Sequence, residues 1–255
     1  MSRILTTILS LTILLITAPA RAQSAGDIVA HVIEALGGKD KLQSINSLYQ
    51  EGTAVLDNGT EVKTRTWRVF DKLYRQEIDY GVGKVTVIVT PRQGWISSPR
   101  TGGVFKALPP LQLKALQTEI DPAGVFIDYN QKGIRMEKIG TDTLNGRPCY
   151  KLRATFPNIE SITYSVDMKS WYIVKETRRS GGVYVATSNG GGANNAGSVL
   201  TAIDGAVDIG FDEYKAIPGG YVLPYVITIG GLGKVSIGKV QINGNVDADV
   251  LSKPR

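Results

Sequence analysis

The side chains that most often carry out chemistry are nearly missing from this chain of 255 residues, which has one histidine, His31, and one cysteine, Cys149. A zinc site built from cysteines and histidines, and an intramolecular disulfide, therefore cannot form. Imidazole catalysis would have to run through His31, while carboxylate, lysine, tyrosine and serine chemistry stays open. The best carboxylate pair is Glu77 and Asp79, two apart on an alternating stretch and so on one strand face. A glycosidase needs two facing acids, but acids on the wet face of a strand ordinarily serve solubility. Ile229-Gly230-Gly231-Leu232-Gly233-Lys234 hints at a phosphate loop. It fails, because Thr228 stands where the first glycine belongs and Val235 where Ser or Thr is required. Cys149 reads as a reactive thiol or as a thiol tucked beside a strand, the second being the ordinary fate of a lone cysteine. No catalytic residue, metal or cofactor is expected.

The elements that must position these residues begin after a leader. Arg3 precedes an uncharged apolar run, Ile4 to Ile16, and Ala20 and Ala22 supply the small residues a signal peptidase reads. The run falls short of the ~20 residues needed to span a bilayer. Export with cleavage after Ala22 is expected, which places residues 23–255 as one domain outside the cytoplasm, in the periplasm. Loss of Arg3 and Arg21 lowers the formal charge from +6 to +4. The basic residues are scattered, so no nucleic-acid patch is visible.

Ile28, Val32, Ile33 and Leu36 recur at helical spacing, which predicts a helix over Ser24 to Leu36, stopped by Gly37-Gly38. A short turn, Lys39 to Ile45, follows. His31 lies beside the apolar stripe as a solvated or boundary residue. From Leu48 onward the period is two. Asp57-Asn58-Gly59-Thr60 is a hairpin turn between two strands, and it explains the Asn-Gly-Thr sequon better than glycosylation does. Pro109-Pro110 opens a short helix bearing Leu111, Leu113 and Leu116, and Asp121-Pro122 opens a second segment, Ala123 to Tyr129. Together they form a helical insertion over roughly 105 to 130. Strands resume from Ile134, broken by the aperiodic SNGGGANNAGS of Ser188 to Ser198. A phase shift around Gly238 predicts a β-bulge.

Tyr150, Leu152, Ala154 and Phe156 share one strand face, and Ile162, Tyr164, Val166 and Met168 share another. Val207, Ile209 and Phe211 repeat the pattern, as do Tyr221, Leu223, Tyr225, Ile227 and Ile229. This alternation is that of a curved antiparallel sheet with a greasy and a wet side. Two short helical regions are a small cover for so large a sheet. The outcome is a packed core, the default, or a cavity for an apolar ligand.

The segment AHVIEALGGKDKLQSINSLYQEGT, the Gly94-Trp95 pair, and IGTDTLNGRPCYKL followed by ITYSVDMKSWYIVKE resemble the LolA-like superfamily of outer-membrane lipoprotein-sorting proteins. FDEYKAIPGGYVLPYVI and VQINGNVDADVLSKP continue the pattern in order. The resemblance implies a mainly β fold with short helices: a half-open antiparallel barrel of about eleven strands under a helical lid, enclosing an apolar cavity. It implies a periplasmic carrier or binder of lipoprotein acyl chains or another lipid, with membrane-bound donor and acceptor proteins as partners. Under that reading Trp67, Tyr150, Leu152, Tyr164, Val166, Ile209, Phe211, Tyr225 and Ile227 form the apolar wall. Leu111, Leu113, Leu116 and Phe126 belong to the lid. An envelope scaffold that binds proteins through sheet edges, and a carboxylate hydrolase, are the competing readings.

Overall fold

The computed structural model describes residues 23–179, 184–188, 198–202, 206–252 and 254. The leader with its cleavage site, and most of the Ser188 to Ser198 segment, lie outside the described residues.

The chain opens with α1 (Ala25–Ala35) and α2 (Lys39–Gln43). Ser24 starts α1 through a capping box. Its hydroxyl oxygen accepts from the Asp27 N–H at 3.1 Å, and the Asp27 carboxylate accepts from the Ser24 N–H at 3.0 Å. Ile28, Val29 and Val32 form the buried stripe. The helix ends where Gly37, at φ 122°, reverses the chain.

Six strands follow: β1 (Ser47–Leu56), β2 (Glu61–Val69), β3 (Leu73–Asp79), β4 (Lys84–Val89), β5 (Gly94–Ser97) and β6 (Lys106–Ala107). Next come α3 (Pro110–Gln117), β7 (Arg135–Leu144), β8 (Arg147–Thr155), β9 (Ile162–Asp167) and β10 (Ile173–Arg179). A separate hairpin, β11 (Tyr184–Ser188) and β12 (Ser198–Ala202), precedes β13 (Ala206–Ile217), β14 (Tyr221–Ile229), β15 (Gly233–Ile242) and α4 (Ala248–Leu251). The fold is mainly β with short helices, a single antiparallel sheet of 13 strands in the order β6-β5-β4-β3-β2-β1-β15-β14-β13-β10-β9-β8-β7. The count exceeds about eleven partly because β6 is two residues long and carries no periodic signal. Edge strands β6 and β7 do not pair with each other, so the sheet is a half-open barrel rather than a closed one.

The expected bulge is present. Glu51 pairs with Lys239 and Gly52 with Ile237, which leaves Gly238 unmatched. Between Asp121 and Tyr129 the insertion forms turns instead of a second helix. Asp121 and Pro122 start it, and Gly124 at φ 79° keeps the chain out of helical geometry.

Helices α1, α2 and α3 and the insertion cover one face of the sheet. Helix α1 packs with Leu152, Ala154, Ile162, Tyr164 and Val166. Helix α2 packs on Leu48, with Tyr221, Leu223 and Ile242 beside it. Helix α3 lies over Tyr74, Val87 and Val89. The Leu36 carbonyl accepts from the Val222 N–H at 3.0 Å and ties the end of α1 to β14. The opposite face is covered at one end only, where Val246 and Val250 pack on Val69, Leu73 and Ile88 with Trp95. Arg75 fixes that cover, donating to the carbonyls of Asp249 and Val250 at 3.3 and 3.5 Å.

Candidate functional site

Strand register decides which side chains share the covered, concave face. Gln50 lies opposite Thr66, and Thr66 opposite Gln76. Phe211 lies opposite Ile227, Ile209 opposite Glu176, Glu176 opposite Tyr164, and Tyr164 opposite Leu152. Eight of the nine wall residues therefore look inward: Tyr150, Leu152, Tyr164, Val166, Ile209, Phe211, Tyr225 and Ile227. Leu152, Tyr164 and Val166 are buried in the cluster under α1. The Tyr164 ring meets Phe126 at 5.0 Å, and burial carries its phenol pKa well above the ordinary value. Tyr150 stacks on Trp171 at 5.7 Å, and Trp171 stacks on the exposed His31 at 4.3 Å. Ile209, Phe211, Tyr225 and Ile227 are partly buried on β13 and β14.

Trp67 is the exception. It pairs across the sheet with Tyr49 and Arg75, packs against the Tyr49 ring at 5.1 Å, and borders a groove with Val246 and Val250 on the convex face. The alternation Trp67-Arg68-Val69 invites the assignment of Trp67 to the interior. The C-terminal segment reverses it by covering the outer face there, which leaves Arg68 to point inward.

Arg68 belongs to a polar cluster that crosses the middle of the concave face. Glu119, just beyond α3, places one carboxylate oxygen 2.8 Å from Arg68 Nη2 and the other 2.7 Å from Arg178 Nη2. Arg68 also donates to Gln50 at 3.0 Å, and Arg178 pairs with the buried Glu176. Burial opposes ionisation of Glu119, but Arg178 and Arg68 overcome it and hold the carboxyl at about 2. Pattern reading missed this cluster, although Glu176 and Arg178 alternating onto a face that is greasy in the neighbouring strands was a legible signal.

The four lid residues diverge. Leu113 and Leu116 pack toward Tyr74, Leu108 and Ile120, and Phe126 is buried beneath α1. Leu111 is 71 % exposed and stands apart from these clusters.

A cavity of about 420 Å³ opens between the two flanks of the sheet, under the insertion. Phe70 and Pro91 line it from the β2–β3 and β4–β5 turns, and Ile134, Phe156 and Ile159 from the other flank. Ile120 and Val125 of the insertion bridge the two. None of the nine wall residues lines it. At its rim Lys132 meets Asp121 at 2.5 Å and the Gly124 carbonyl at 2.8 Å. A second, smaller apolar cleft of about 80 Å³ lies on the concave face at its open end, among Leu56, Ile78, Ile229 and Val235.

The two paired carboxylates, Glu77 and Asp79, are otherwise engaged. Glu77 sits on the convex face, 8 % exposed, 2.7 Å from Arg75 and 3.0 Å from Lys84. Burial raises its pKa, and Lys84 and Arg75 more than reverse that, so the group stays ionised rather than poised to donate a proton. Asp79 accepts from the Gly81 N–H at 2.8 Å in the following turn. Among the described residues no group of three or more His, Cys, Asp or Glu converges as a metal site, and no helix is long and apolar enough to cross a membrane.

Comparison with solved structures establishes the fold. A domain of a Vibrio parahaemolyticus protein described as outer-membrane lipoprotein-sorting aligns with TM-score 0.51 at 11 % identity, over 89 % of this chain and 97 % of that one. A LolA superfamily protein from Nitrosomonas europaea gives 0.53 at 9 % identity, over 91 % and 99 %. A DUF1329 family protein from Desulfovibrio piger gives 0.54 at 10 % identity, over 89 % and 95 %. The chain thus has a LolA-like fold. No protein-family model and no curated protein matches the sequence.

Proposed function

We propose that this protein is an exported carrier or binder of a lipid, held without covalent bonds between the curved sheet and the insertion that covers it. The observation that carries this reading is the apolar cavity of about 420 Å³ beneath residues 114–125. Such a site obtains affinity from area, at about 0.8 kcal/mol per buried methylene, and needs few polar contacts. A protein working this way has no use for imidazole or thiolate, in keeping with one His and one Cys. The LolA-like fold supports the same reading, since one of its neighbours is a lipoprotein-sorting domain by description. Export rests on the leader 1–22, and a lipoprotein cargo with membrane-bound donor and acceptor is the narrower form of the proposal. Native mass spectrometry of protein purified from the envelope of its host tests it. A co-purifying lipid or lipoprotein is the expected result. A consistently empty protein with a protein partner attached would replace the carrier with a scaffold.

A further inference from the structure

The convex face carries a groove that the carrier reading does not use. Trp67 of β2, Tyr49 of β1 and Gln241 of β15 stand in register, one row of side chains across three strands. The next row on that face is Arg65, Glu51 and Lys239. Gly244 to Asp247, with Val250, supply the opposite wall of a groove of about 200 Å³.

That wall is anchored at both ends. Asn243, at φ 54°, accepts through its amide oxygen from the N–H groups of Asn46 and Ser47 at 2.7 and 3.2 Å. The Ser47 hydroxyl donates to the Gly244 carbonyl at 3.3 Å. Arg75 holds the far end through the carbonyls of Asp249 and Val250, and Val246 and Val250 pack on the cluster around Val69. Between these anchors Asn245 and Asp247 are exposed. Their side chains, like that of Gln241, make no hydrogen bond or ion pair among the described residues.

Two half-buried rings thus lie beside two amides and a carboxylate whose bonding capacity is unspent. Trp67 and Tyr49 are tilted by 41° with centroids 5.1 Å apart. Open aromatic surface favours an apolar C–H face, and amide and carboxylate groups favour hydroxyls. The charges offered to the groove cancel. Lys239, its ammonium 5.7 Å from the Tyr49 ring centroid, and Asp247 have opposite sign. Arg68 also borders the groove, but its guanidinium is committed to Glu119 on the concave side.

We infer that this groove binds an uncharged saccharide, one pyranose ring lying against Trp67 and Tyr49 and its hydroxyls bonded by Gln241, Asn245 and Asp247. This is a second site, on the face opposite the lipid cavity, and it stands independently of the carrier reading. Two sources share the chemistry, a plain hexose glycan and an N-acetylated amino-sugar glycan, for whose acetamido methyl Val246 offers a contact.

The purified protein is titrated with maltotetraose, chitotetraose and phosphocholine, followed by saturation-transfer NMR. At least one saccharide is expected to bind with a Kd on the order of 1 mM or below, and the tighter of the two identifies the source. Absence of saccharide binding up to about 20 mM would end the proposal. Tighter binding of phosphocholine, which pairs with Lys239 and Asp247 together, would replace the saccharide with a zwitterion. The double variant Gln241→Ala/Asn245→Ala, at exposed positions, should weaken saccharide binding about tenfold with an unchanged unfolding midpoint. Trp67→Leu should weaken it as much while lipid binding stays intact. Undiminished saccharide binding in both variants would place the ligand elsewhere and overturn the assignment.

Discussion

Glu119 stands between Arg68 and Arg178, its two carboxylate oxygens 2.8 and 2.7 Å from guanidinium nitrogens that belong to β2 and β10. One side chain of the insertion thereby joins strands on both sides of the sheet's concave face. Ion pairs with side chains this well covered are strongly destabilising to break, because the remaining charges are left buried.

Replacing Glu119 by Gln should cost on the order of 3 kcal/mol at pH 7, read by urea unfolding. The pH dependence follows from the lowered carboxyl. Its contribution is complete above the unfolded value of about 4.5 and is lost as pH falls toward about 2. The difference between wild type and variant should therefore shrink between pH 5 and pH 2. A constant difference across that range would show that the charge is not what Glu119 contributes.

Leu152 is fully buried under α1, so Leu152→Ala should cost roughly 2–5 kcal/mol through transfer and cavity terms. Trp67→Ala should lower stability as well, since it strips the groove floor near Val246 and Val250. It should leave lipid binding unchanged, because Trp67 lies on the other face. A loss of binding at unchanged stability would return Trp67 to the ligand wall.

Cys149 is fully buried, donates to the Arg147 carbonyl at 3.4 Å, and has its thiol pKa pushed up by burial and by Asp167. Native protein should react slowly with a thiol reagent at pH 8 and rapidly once unfolded in urea. Rapid modification of the folded protein would contradict this burial.

Gly233 begins β15 at φ 138°, where an added Cβ would collide with the carbonyl oxygen of Val55 on β1. Gly233→Ala should lower the unfolding midpoint by more than the alanine gain in chain entropy, about 0.4–1 kcal/mol, can restore. Stability equal to or above wild type would disprove the steric reading.

Much of the fold is legible locally. Ser24 and Asp27 announce the start of α1, Asn58-Gly59 announces the first hairpin, and the slipped phase at Gly238 announces the bulge. The greasy faces of β8, β9, β13 and β14 are readable for the same reason: alternation within a strand is a local property. The cavity is not readable in this way. Its walls come from Phe70, Ile120, Ile134 and Phe156, and turns supply Phe70, Pro91 and Ile159, where no periodicity exists to interpret.

The sequence by itself determined the alternation, the turns, the short cover of α1 to α3, and the near absence of thiol and imidazole. Those features commit the chain to a curved sheet that must hide one face. Tertiary structure alone decided which face that is for each side chain in β2, since the C-terminal segment lies over Trp67 and turns Arg68 inward. It also decided that Arg68, Glu119 and Arg178 meet, residues far apart in the chain and invisible to any local period. Strand pattern records that a side chain will be covered. What covers it depends on segments that arrive from elsewhere in the chain, and here those segments built a clasp in the middle of the sheet and an apolar cavity beside it.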